Sequence, residues 1–325
     1  YNFIKRIFSL LNLDKILELH NQQIDTNYWN DILKDIYLCT NQIINNKEND
    51  LYFKRKINID ILLDRDILND PNASVYKIDD YNYEIVIGKK FLVLLNYYSS
   101  EIVNKNLIFN KIDRIEVNEE KLYKINSLIF FFWTQFIILH EWAHIVNGHL
   151  DLKNFSDPYY EFNSTIKTNN ESDIFLEMDA DKLAGQLLIN QFLIILNDLE
   201  IEFQEDKITL IDNFHKIMYH LFDMFFRIHE KNIKSSHPSY YDRIHAISTI
   251  FGVELLEKKN ILKISEEKIN EIGNESIMEF AILFLKDYNL DKTKLLSDFD
   301  ETYDKYLKFL KDIELDKYKI LELRR

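Results

Sequence analysis

The chain has 325 residues, 46% of them apolar with 23 Phe and 19 Tyr, so it can bury a sizeable core, and disorder over most of its length is disfavoured. The 40 basic residues against 54 acidic ones give a formal net charge of −14, with no basic stripe interleaved with aromatics, which disfavours nucleic acid as the main ligand. With 5 Gly and 3 Pro, long uninterrupted helices are the expected fold, and the single Cys39 permits no intrachain disulfide and suits a reducing compartment, the cytoplasm by default.

At the start of the chain, Lys5 and Arg6 precede a short apolar run that Asp14 interrupts. That run is short for a signal peptide and no small-residue cleavage site follows, so the secretory reading is weak. The first residue is Tyr rather than Met, which leaves the native start open. Residues 26–46 carry Trp29, Ile32, Leu33, Ile36 and Tyr37 at helical spacing and predict an amphipathic helix. The period then changes. In KINIDILL, Ile57, Ile59 and Ile61 alternate with Asn58 and Asp60, and in YNYEIVIG, Tyr81, Tyr83, Ile85 and Ile87 do likewise. Two strands are expected there, with NDPNAS at 69–74 as a turn cluster between them.

Gly88 ends the second strand, and KKFLVLLNYYSSEIV returns to helical character. Residues 118–147 predict a long apolar helix with Gly148 at its C-terminal stop. The polar stretch 151–171 reads as a loop, and Ser172 as the N-cap of a helix running through IFLEMDADKLAGQLLINQFLIIL. A third long helix is expected over about 206–230, with Phe214, Met218, Leu221, Phe222 and Phe225 on it. Pro238 in SSHPSYYDRIHAISTIFG suits the first turn of another, and from about 255 the chain reads as charge-rich amphipathic helix. The expected division is an N-terminal helix and small sheet lobe at 1–117, a helical core at 118–254 and a C-terminal helical region at 255–325.

The long helix contains HEWAH. Residues i and i+4 of a helix lie about 40° apart, so His140 and His144 project to one side and two imidazoles can hold one metal ion. Glu141 stands beside the first of them, where a carboxylate can reach a metal-bound water instead of the metal. A catalytic zinc site needs a third protein ligand and an open position. His149 follows His144 by five residues, and on a continued helix it would point away from the pair. FLEMDADKLAG offers Glu177 and Asp181, also i and i+4, with Ala180 and Ala184 small enough for close helix approach. Glu177 can close the site and Asp181 can accept an N–H from a ligand imidazole. Asp173, Asp179 and His149 stay open as alternatives for the third ligand. This is a gluzincin arrangement.

HEWAHIVNGH followed by EMDAD resembles the HExxH and ExxxD pair of soluble relatives of the CAAX prenyl protease and HtpX group, and SSHPSYYDRI is similar to that group's His-Pro segment with an Arg six residues after the His. The resemblance covers roughly residues 80–250. It implies zinc on His140, His144 and Glu177, Glu141 as base, Asp181 orienting a ligand, and His237 and Arg243 beside the substrate, where a donor stabilises the oxyanion. Tyr240 and Tyr241 are alternative donors. That group's integral members span the membrane several times, whereas the apolar candidate here, about 127–146, contains HExxH itself and Gln135 and reads as a buried core helix, so no transmembrane span is expected. A small sheet ahead of HEWAH also resembles the Lit-type phage-exclusion peptidases, which are cytoplasmic.

The expected protein is therefore α+β and predominantly α-helical, with a zincin-like core and a small sheet beside the HExxH helix. Its expected activity is that of an endopeptidase with one Zn2+, cleaving an intracellular protein substrate by Glu-assisted attack of a zinc-bound water on the peptide bond. Two rival readings stand beside it: a metal-binding regulatory or toxin-like module whose occluded site needs a trigger, and a non-catalytic helical interaction protein. His20, His215, His220, His229 and His245 are assigned to structure or surface.

Overall fold

The computed structural model describes residues 4, 5, 7, 8, 30–38, 58–64, 73–105, 119–152, 159–160, 171–229 and 240–273. They divide into two units, one holding the described residues up to Tyr160 and the other those from Glu171 onward. Among them the fold is predominantly helical α+β with one small sheet.

In the first unit, β1 (Asn58–Asp64), β2 (Ala73–Lys77) and β3 (Asn82–Gly88) pair with a two-residue β4 (Tyr159–Tyr160) in the order β1-β3-β2-β4. β1 runs parallel to β3 with Ile61 opposite Ile85, while β2 is antiparallel to β3 with Val75 opposite Ile85. Tyr83, Ile85 and Ile87 are buried and the residues between them are half-exposed, the alternation of a sheet with one covered face. The expected turn over 69–74 is corrected at its end. Ala73 and Ser74 begin β2, pairing with Ile87 and Val86, and their burial overrides a poor intrinsic strand preference. The turn lies further on, where Asp79 Oδ1 accepts the N–H groups of Tyr81 (2.8 Å) and Asn82 (2.9 Å). The loop expected over 151–171 likewise contains β4, which is too short to show a period of its own.

α1 (Lys89–Asn104) leaves β3 directly and buries Phe91, Leu92, Leu95, Ile102 and Val103. α2 (Glu119–Val146) fills the predicted span, with Glu119 and Glu120 in its first turn, where negative charge suits the helix dipole. Every residue from Ser127 to Val146 is buried, so the helix is enclosed on all sides, as its apolar run requires. Among the described residues it alone is long and apolar enough to cross a membrane, and 78% of its most apolar window is buried inside the protein. A short helix α3 (His149–Leu152) follows. Residues 30–38 are helical and bury Ile32, Leu33 and Ile36 as expected, and Asn30 Oδ1 accepts the Leu63 N–H of β1 at 2.7 Å. Trp29 lies outside the described residues.

The second unit contains α4 (Glu171–Phe203), α5 (Lys207–His229) and α6 (Tyr240–Leu262). α4 starts at Glu171, one residue ahead of the expected cap Ser172. Gly185 lets α4 and α6 approach, because a Cβ there would lie 2.5 Å from Ile247 Cδ1. Phe192 of α4 stacks on Phe214 of α5 at 4.1 Å between centroids, and Phe214 stacks in turn on Phe251 of α6. The continuous helix expected from 255 is interrupted after Leu262, where Lys263 takes a positive φ of 56°, and residues 266–273 are helical again. The rest of that expectation lies outside the described residues.

Candidate functional site

Helical spacing sets the first part of the site. His140 and His144 are one turn apart on α2, both fully buried, with their rings edge to face at 4.8 Å and their Nε2 atoms 3.1 Å apart. Glu141 is buried on the same turn, about 100° around the helix from His140. Trp142 donates its indole N–H to Tyr37, so the helical stretch 30–38 braces the HExxH turn. Burial pushes the Tyr37 phenol up to about 12, and the Trp142 hydrogen bond works the other way.

His149 departs from the sequence expectation. The prediction that it points away assumes that the helix continues, but α2 stops at Val146 and Gly148 adopts a φ of 73°, the left-handed conformation of a helix C-terminus. The chain folds back, and His149 Nδ1 comes to 2.8 Å from His144 Nδ1, with both rings fully buried. His144 thus faces His140 through one nitrogen and His149 through the other. The Asn-Gly pair before His149 was the signal for this reversal.

In the second unit, Glu177 and Asp181 lie one turn apart on α4, both fully buried, with Ala180 and Ala184 also enclosed. Asp181 is held by a two-pronged ion pair from α6: Arg243 Nε donates to Oδ2 at 2.6 Å and Nη2 to Oδ1 at 2.7 Å. Phe222 and Phe225 of α5 lie 5.4 and 5.7 Å from the guanidinium, so the cation is set among aromatic faces. His237 lies outside the described residues, as do the side chains of Tyr240, Tyr241 and Asp173.

The donor chemistry fits a metal. Two nitrogen ligands at the usual zinc distance and tetrahedral angle stand about 3.3 Å apart, and the His140 and His144 Nε2 atoms are 3.1 Å apart. Each unit carries buried metal-ligand chemistry of its own: the paired imidazoles in the first and the Glu177 carboxylate in the second. No curated protein matches the chain, and no solved structure does. The Peptidase U49 family model matches residues 96–264, which include HEWAH, Glu177, Asp181 and Arg243. That match takes in just over half of the sequence, and the chain accordingly belongs to the Peptidase U49 family, a Lit-type metallopeptidase family of enzymes that hydrolyse peptide bonds.

Proposed function

We propose that the chain is a zinc-dependent endopeptidase in which His140, His144 and Glu177 hold one Zn2+ and Glu141 is the general base. The observation that carries this reading is the buried pair of Nε2 atoms 3.1 Å apart on the helix that also carries Glu141. When bound, the ion supplies polarisation of the scissile carbonyl and lowers the pKa of the attacking water. Glu141 takes that water's proton and passes it to the leaving amine. Its place one residue after His140 keeps its carboxylate beside the imidazole pair and outside the ligand line.

Asp181 and Arg243 tie α4 to α6 one turn from Glu177, and we assign them the holding of that carboxylate in place. Two Arg243 nitrogens are engaged by Asp181, so donation to the developing oxyanion is assigned to His237. The resemblance to the CAAX prenyl protease and HtpX group supports the same ligand set from three motifs. The substrate is taken to be an intracellular protein, in keeping with the single Cys and with the Lit-type family, whose phage-exclusion members suggest a setting.

The test is cleavage. Purified wild-type chain incubated with whole-lysate proteins is expected to generate new N-termini, detected by terminal labelling and mass spectrometry. Chelation is expected to abolish them, and Glu141→Gln to reduce their rate by at least 10²-fold, the lower range for loss of a general base. Cleavage that persists at wild-type rate in Glu141→Gln contradicts the mechanism.

A further inference from the structure

We propose that His149 is a positioning residue: its Nδ1 accepts the Nδ1–H of His144 and so fixes the one tautomer of His144 that leaves Nε2 free for the ion. This rests on the metal reading above and adds a residue to it. A neutral imidazole carries one proton, so a ring that offers Nε2 to a metal must keep its proton on Nδ1. In a dry interior that N–H needs an acceptor, because an unpaired buried donor costs about 1–3 kcal/mol. His149 Nδ1 stands at 2.8 Å, and both side chains are fully buried. The two nitrogens can share only one proton, so His149 carries its own on Nε2.

The geometry also says what His149 does not do. It meets His144 on the nitrogen opposite the one that faces His140, so it is not a third ligand alongside the two Nε2 atoms. Its ring stands at 70° to that of His144, an edge contact rather than a stacked one. Gly148 supplies the turn, since its left-handed φ of 73° stands between the end of α2 and His149. A carboxylate is a common partner for a metal-binding imidazole; here an uncharged ring takes that place, which orients His144 without adding negative charge to the site.

The experiment is metal binding by the full chain, stripped of metal and titrated with Zn2+ in competition with a chromophoric chelator. His149→Leu, which cannot accept a hydrogen bond, is expected to weaken binding about 10–100-fold. His149→Gln, whose Oε1 can accept one, is expected to recover affinity to within several-fold of wild type. Equal binding by wild type and His149→Leu overturns the proposal, as does a Gln variant no better than Leu. A wild type that takes up no Zn2+ overturns the metal reading and this inference with it. Imidazole 15N spectra of zinc-loaded wild type need no variant to fold: His144 bound through Nε2 and His149 protonated on Nε2 are expected. His149 protonated on Nδ1, or His144 bound through Nδ1, overturns the assignment.

Discussion

At the scale of single residues, burial decides what each ion pair is worth. Asp181 and Arg243 are fully enclosed and bonded by two short, charge-assisted hydrogen bonds. Asp181→Ala leaves the guanidinium buried without its carboxylate, and the expected loss of folding stability is about 3–5 kcal/mol, read from urea unfolding midpoints. Lys259 and Glu266 are as close, at 2.6 Å, but Lys259 is half-exposed and Glu266 exposed. Lys259→Ala is expected to cost less than about 1 kcal/mol in the same assay. Equal losses at the two sites would contradict the role given to burial. The pairing of Asp181 with Arg243 spans 62 residues, and no local pattern encodes it. Sequence reading therefore singled out both side chains without joining them.

At the scale of elements, α5 and α6 are fastened by a buried polar chain inside an aromatic stack. Tyr219 Oη is 3.2 Å from His215 Nε2 and 2.7 Å from Ser248 Oγ, and the His215 ring lies flat against Phe251 at 4.4 Å. Burial lowers the His215 pKa to about 3 and raises that of the Tyr219 phenol, whose bond to Ser248 opposes the rise. Between pH 6.5 and about 3 the unfolded chain binds a proton at this residue that the folded chain does not. Its contribution to stability is thus fully present above pH 6.5 and is lost as the pH falls toward 3, by up to about 1.4 kcal/mol per unit. Unfolding midpoints measured from pH 7.5 down to pH 4.5 are expected to fall more steeply for wild type than for His215→Gln, which keeps an acceptor for Tyr219 but does not titrate. Identical slopes would show that His215 takes no part in the acid response.

At the scale of the whole molecule, what was legible in the sequence is what depends on neighbours along the chain. The span of α2 could be read from its apolar run and from Gly148, and β3 from the alternation of Tyr83, Ile85 and Ile87. The spacing of His140 and His144 gave the paired imidazoles, because one helical turn fixes their side. What failed depends on where a regular element stops or on tertiary burial. His149 was misdirected by a helical wheel carried past Gly148, and β2 was hidden because Ala73 and Ser74 look like turn residues until β3 covers them. The most direct test of the metal assignment is elemental analysis of the purified wild-type chain beside His144→Ala and Glu177→Ala. The His-His-Glu assignment predicts about one zinc per wild-type chain and a clear loss in both variants. A folded wild type that contains no zinc and cannot be loaded with it would contradict the assignment.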